Sequence, residues 1–457
     1  MATPCITQIT FGFDAKKKPV VARFDQAHAS SDGGAILLKG IDTQLGLTKR
    51  LAAHFVDGRQ PGKIQHQTLE LFRQRVFGLA CGYADCNDAA RLADDAIHKL
   101  LLDRDPIAGP ALASQPTLSR FENAVEWREL LTIGHELAET VIEHHRRRLK
   151  GRARRITIDL DPTDDPTHGQ QEFTVFNGHY DTWCYLPLVA TLTFDDEAEQ
   201  YAVAAVLRPG NATASEGARG LLRRLIQRLR EAFRSPIIRV RLDGGFANPK
   251  MFTFLEAQPV EYVVGMPSNS RLEKRARRLL GKVRMRSKAT GKTAHIYGET
   301  LYAAKSWKRR RRVIIKAEVV RHPGRDPKNN PRFVVTNLPS APRTVYEDIY
   351  CQRGDVENRL KELHHGLEMD RTSCSRFVAN QFRVFLSLAA YILFQELQRR
   401  ARGTACAAAQ VTTLRERLIK LAVWVERSVR RIVLHLPATF PWRRTWCQIA
   451  CAVGTSP

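Results

Sequence analysis

The spacing of apolar residues changes character twice along the chain. Over 66–80, Leu69, Leu71, Phe72, Val76 and Leu79 recur close to every 3.6 positions, and 115–122 reads as the capped opening of another helix. After a short extended start, residues 1–150 are therefore expected to form a helical N-terminal domain, serving either DNA binding or simply a core. At Arg155 the period falls to two, with Ile156, Ile158 and Leu160 alternating with polar positions. Strands follow at 184–194 and 201–210, the second ending in the turn pair Pro209-Gly210, then a helix at 215–233 and a strand at 237–243. This β-β-β-α-β order predicts an α/β domain with a mixed sheet, its first part over 151–257.

Beyond Asp243 the rhythm is broken by a strand at 261–267, a basic helix near 270–286 and strands at 294–304, 311–321 and 332–338. These are expected to form a β-rich insertion over 258–340. Helices at 346–367 and 377–397 then return the chain to its core over 341–400. A third amphipathic helix, 414–434, makes 401–457 a helical C-terminal region. The chain contains no internal repeat and no low-complexity tract.

Composition adds a partner class. Of 457 residues, 72 are Lys or Arg and 47 Asp or Glu, a net +25 that suits a phosphate backbone. Residues 271–312 carry sixteen basic side chains against Glu273 and Glu299, with Tyr297, Tyr302 and Trp307 interleaved. A surface that neutralises phosphates and stacks bases has that make-up. The run 146–155, with seven basic residues, reads as a solvated face or linker. The apolar run 384–395 is too short to cross a bilayer, and residues 1–25 hold no signal-peptide core. Nine cysteines without a Cys-x-x-Cys pair suggest reduced thiols in a cytoplasm, and no structural zinc.

Clustered acids at strand ends are unexpected in so basic a chain. Asp159 and Asp161 share one face of their strand, and Asp243 ends another just before Gly244-Gly245. Glu357 lies on the helix near Tyr346. Carboxylates held on rigid elements are what Mg²⁺ requires for two-ion phosphodiester chemistry. Each also has an ordinary reading: a turn cap, a strand end, a helical pair of Glu357 with Lys361.

The ordered combination resembles a family. Asp161-x-Thr163, then Arg241-x-Asp243-x-Gly245-Phe246-Ala247, then Tyr350-x-x-Arg353-x-x-x-Glu357 resemble the DDE transposases of bacterial insertion sequences. The stretches SSDGGAILL (30–38), SQPTLSRFEN (114–123), DPTHGQQEF (165–173), FNGHY (176–180) and DRTSC (370–374) are similar to the group of insertion sequence thirteen-eighty. The resemblance spans about residues 20–435.

It implies an RNase H-like core interrupted by a β-strand insertion, with Asp161, Asp243 and Glu357 as the catalytic triad. Two Mg²⁺ or Mn²⁺ ions would be held there, with Asp159 among the metal residues; Asp159 lies on the same face and is the alternative first Asp, Asp161 being preferred because the family pattern is Asp, any residue, then Ser or Thr. Tyr350 and Arg353 are implied as contacts to the phosphate beside the cleaved bond. Where related enzymes carry Lys seven residues after the Glu, this chain has His364, with Lys361 as a substitute. Trp307 is the aromatic expected to stack a flipped base, and Lys308, Arg309, Arg310, Arg311 and Arg312 are expected DNA contacts. The implied activity is cut-and-paste transposition by a cytoplasmic homodimer: binding terminal inverted repeats, cleaving there and joining the 3′-hydroxyl to target DNA, with no membrane partner. Another RNase H-like nuclease, or a non-catalytic DNA-binding relic, is the alternative, and inverted repeats flanking the reading frame would separate them.

Overall fold

The structure is a computed structural model describing residues 8–454. Cys5 lies outside the described residues, and no disulfide joins the eight described cysteines to one another. The chain divides into two compact units. One comprises Met1–Ala52, Asp57–Phe121 and Leu393–Pro457; the other comprises Ala53–Val56 and Glu122–Ile392. The N-terminal helices up to Phe121 and the C-terminal segment from Leu393 fall in the same unit.

In the first unit, helices Ile36–Leu45 and Thr68–Cys81 bury Leu38, Ile41, Phe72 and Phe77. The helix expected over 414–434 is not formed. A helical turn at Arg415–Ile419 gives way to strands Val423–Arg427 and Ile432–His435, which pair antiparallel. Leu421, Val423 and Val425 are buried while Ala422, Trp424 and Glu426 are exposed, so the period there is two.

The second unit holds the sheet that carries the acids. We label the elements used below α1 (Trp127–Arg148), β1 (Arg155–Pro162), β2 (Leu188–Phe194), β3 (Tyr201–Val206), α2 (Ala218–Ala232), β4 (Ile237–Leu242), β5 (Glu261–Met266), α3 (Ser270–Thr290), β6 (Ala294–Tyr302), β7 (Arg311–Val320), β8 (Arg332–Thr336), α4 (Gly354–Lys361) and α5 (Phe377–Arg400), whose residues from Leu393 on belong to the first unit. The sheet order is β6-β7-β8-β5-β4-β1-β2-β3. Strands β1, β4 and β5 run parallel, and the remaining neighbours pair antiparallel. The strand expected over 184–194 is split at Pro187, which lacks a ladder donor; its first part, Thr182–Tyr185, pairs instead with Val175–Asn177 in a small separate hairpin.

The β-rich insertion is continuous with this sheet, since its first strand β5 pairs parallel with β4 along Arg239↔Glu261 to Leu242↔Val264, and β8 then pairs with β5. Val263, Ile314 and Val334 pack on Val345, Tyr346 and Ile349, so the inserted strands seat the segment that leads into α4. That segment is helical from Pro342 to Gly366 but widens into π-helical turns at Val345–Tyr350 and Glu362–Gly366, a distortion frequent at functional sites. The 24 residues of α5 are long and apolar enough to cross a membrane by length and composition, and their apolar window is wholly buried in the fold.

Candidate active site

Parallel pairing of β1 with β4 sets Arg241 beside Asp159 and Leu242 beside Leu160. Just beyond these pairs, Asp161 and Asp243 leave the same edge of the sheet on neighbouring strands. The C-terminal edge of parallel strands is the usual ligand side of an open α/β sheet. Asp243 caps the turn Gly244–Phe246, accepting from the Gly245 N–H at 2.9 Å. Asp161 is buried, and its Oδ2 accepts from Arg353 Nη1 at 3.0 Å. The same guanidinium lies 3.9 Å from Glu357 Oε1, one helical turn along, so Glu357 pairs back toward Arg353.

Asp161 and Glu357 thereby meet one guanidinium, and Asp243 lies near enough for its charge to act on both Asp161 and Arg353. Burial pushes the Asp161 carboxyl up to about 7; Arg353 opposes the rise, and the charges of Asp243 and Glu357 add to it. Arg353 is held firmly cationic: burial would lower it, but Asp161, Tyr350, Asp243 and Glu357 outweigh that. The Tyr350 hydroxyl occupies the space over Gly265, where a Cβ would overlap it. One cation thus faces three carboxylates and leaves a local deficit of positive charge. That donor set suits a hard divalent ion.

Asp159 behaves otherwise. It is fully buried, and its two oxygens accept from Arg241 Nε at 2.8 Å and Nη2 at 2.7 Å. Arg241 Nη1 continues to the Ile349 carbonyl and the Gln352 side chain. This ion pair engages both oxygens of Asp159 and ties β1 and β4 to the segment before α4.

The expected stacking role of Trp307 is corrected. It is buried, its ring edge-on to Phe252 and Tyr302 at 5.0 and 5.5 Å, with the Arg311 guanidinium 4.8 Å over it, so no face is free for a base. Arg309 and Arg311 bond Glu256, and Arg312 bonds Glu299 and the carbonyls of Leu338 and Ser340. Of that run only Lys308 and Arg310 are exposed without an ion pair among the described residues. Lys361 is exposed at the end of α4. His364 sits between Thr163 and Asp370, its Nε2 3.2 Å from Thr163 Oγ1 and its Nδ1 3.3 Å from Asp370 Oδ2.

Helix α3 buries Leu272, Ala276, Leu280, Val283 and Ser287, leaving Lys274, Arg278 and Lys282 in an exposed stripe. Sequence reasoning passed over the hairpin of Phe176 and Trp183. These are directly paired across its strands, 6.1 Å apart and both exposed, while Tyr180 at its tip feels the charges of Asp164, Asp161 and Asp243. The signal available was two aromatics flanking the turn sequence Asn-Gly-His-Tyr.

A separate group in the first unit, Asp32, Cys81 and His98, also brings metal-type ligand atoms together. There Lys420 Nζ lies 2.7 Å from Asp32, and an ammonium already supplies the positive charge.

No curated protein matches the chain closely. The family model described as transposase DDE domain group 1 matches residues 14–454, nearly the whole length and both sets of strands that supply the acids. The chain therefore belongs to the transposase DDE domain family, group 1.

Proposed function

We propose that this transposase cleaves DNA at the terminal inverted repeats of its own insertion sequence and joins the freed 3′-hydroxyl to target DNA. The observation that carries the reading is the convergence of Asp161, Asp243 and Glu357 on Arg353 at the open edge of β1 and β4. An antiparallel β1-β2-β3 meander continued by parallel β4 and β5 is read as the RNase H-like core, with β6, β7 and β8 as its insertion.

DDE transposases use divalent metal ions. Mg²⁺, in a pair held by the three carboxylates, would activate the attacking oxygen and stabilise the leaving one. The chain's own part is to fix the geometry. Arg353 neutralises part of the carboxylate charge and, with Tyr350, offers donors to the phosphate next to the broken bond. Burial around Asp161 keeps water from screening these charges. Water is the nucleophile for cleavage and the 3′-hydroxyl the nucleophile for joining, so no protein nucleophile is needed. The exposed stripe of α3 tracks backbone phosphates, and Phe176 with Trp183 supply the stacking surface that buried Trp307 does not. Two copies, each holding one end, would act together in the cytoplasm.

The test uses linear DNA carrying the inverted repeats that flank the reading frame, with Mg²⁺ and a target plasmid. Cleavage at the repeat boundaries and joined products are expected from the wild type, and bound but uncut DNA from Glu357→Gln. Sequence-indifferent nicking without joining would assign an RNase H-like nuclease instead and overturn the reading.

A further inference from the structure

The loop after β1 and the loop after α4 are laced together a few residues from the acids. Thr163 donates its N–H to the Pro187 carbonyl at 3.0 Å, while its hydroxyl meets His364 Nε2. The other ring nitrogen of His364 meets Asp370. Further along, both oxygens of Asp165 lie within 3.0 Å of the Thr372 hydroxyl, and Glu172 N–H donates to the Ser375 carbonyl at 2.9 Å. His364 belongs to the π-helical turn that continues α4, two turns beyond Glu357. Its side chain is only 13% exposed.

An imidazole has two ring nitrogens, and here both are engaged by protein partners, leaving none for a DNA phosphate. With Asp370 accepting from Nδ1–H, Nε2 is left to accept from the Thr163 hydroxyl. If the ring gains a second proton, Nε2 donates and the same hydroxyl accepts. The link therefore persists in either charge state.

We propose that His364 is a positioning residue of the carboxylate site, a clamp gripped by Asp370 that holds Thr163, and with it the Asp161 end of β1, at a fixed distance from the helix bearing Glu357. The proposal rests on the assignment of Asp161 and Glu357 as ion ligands and says what sets their spacing. Ligands in a divalent site must be held within a few tenths of an ångström, and partners that orient them are worth about 10–100-fold in metal affinity.

The experiment is Mn²⁺ titration of the DNA-free full chain, followed by electron paramagnetic resonance, for wild type, His364→Ala, His364→Gln, Thr163→Val, the Thr163→Val/His364→Ala double variant and Asp161→Ala. Affinity for end DNA is measured against salt in parallel, with Ca²⁺ in place of Mn²⁺. Thr163→Val is nearly isosteric, so it carries the test if His364→Ala fails to fold. Mn²⁺ affinity is expected to fall about tenfold in His364→Ala and in Thr163→Val, and no further in the double variant, because both remove one link. His364→Gln, whose amide both donates and accepts, should recover part of the loss. DNA affinity and its salt slope should not move. Wild-type Mn²⁺ affinity in Thr163→Val, with Asp161→Ala having lost it, overturns the clamp while sparing the ion site; wild-type affinity in Asp161→Ala overturns the ion site itself. A salt slope lowered by about one in His364→Ala, at unchanged Mn²⁺ affinity, returns His364 to the phosphate and also overturns the clamp.

Discussion

Asp161→Asn should make the metal-free protein more stable while abolishing cleavage. The Asp161 carboxyl titrates near 7 in the folded chain and near 3.8 when free of its surroundings. Between those values the native state keeps a proton that the unfolded chain has released. The native state thus binds more protons, and stability falls as pH rises from about 4 to about 7, then stays at the reduced level. Three units at about 1.4 kcal/mol each give a penalty of about 4 kcal/mol at pH 8, shrinking to about 1–2 kcal/mol at pH 5. An Asn removes the charge but still accepts from Arg353, so the penalty is relieved with the hydrogen bond retained. For a unit of this size the gain at pH 8 corresponds to a melting temperature higher by about 10 °C. The assay is thermal unfolding of both proteins in EDTA from pH 5 to 8.5. Asp165, which burial raises to about 8, titrates in both and cancels in the difference. Added Mn²⁺ should stabilise the wild type and not the variant. Equal stability at pH 8, or a gain that does not change with pH, would refute the claim that a charge is buried at a cost at Asp161.

Removing the carboxylate in Asp159→Ala leaves Arg241 buried without a counter-charge and should cost about 3–5 kcal/mol whether or not metal is present; an unchanged denaturant midpoint would contradict the structural role. Trp307→Ala should cost about 3–5 kcal/mol of stability, whereas Phe176→Ala and Trp183→Ala should leave stability alone and lose about 1–3 kcal/mol per stacked base on DNA with unpaired ends. The opposite pattern, read from melting curves and fluorescence anisotropy, would restore Trp307 as the stacking residue. Neutralising Lys274, Arg278 and Lys282 together should lower the salt dependence of DNA binding by about 0.9 for each phosphate the helix no longer neutralises, and an unchanged slope would mark the stripe as a solvated face.

That Asp161 and Asp243 stand at strand ends on a polar face was legible from strand alternation, and that placement survives folding. Their adjacency was not legible, since it depends on the parallel register of β1 with β4. Glu357 is largely exposed and has no burial or periodicity signal; only its place in an ordered set of motifs points to it. Asp159 and Asp161 look alike in sequence, and what separates them is Arg241, 82 residues away. Trp307 misleads because a basic run beside an aromatic has the same composition whether the ring packs inward or outward. The inserted strands read correctly as strands, but their continuity with the central sheet rests on the pairing of β5 with β4, which local pattern does not encode. In 414–434 the leucines and valines fit both periods, and the buried alternation at Leu421, Val423 and Val425 decides for strand.

The most direct test of the central claim is a crystal structure of the protein soaked in Mn²⁺, with ions located by anomalous scattering. The account predicts manganese bound by carboxylate oxygens of Asp161, Asp243 and Glu357 together, at about 2.0–2.6 Å, the range of hard-cation oxygen bonds, with Asp159 still paired to Arg241. Manganese bound elsewhere, or Glu357 turned away from both aspartates with the ion in place, would contradict it.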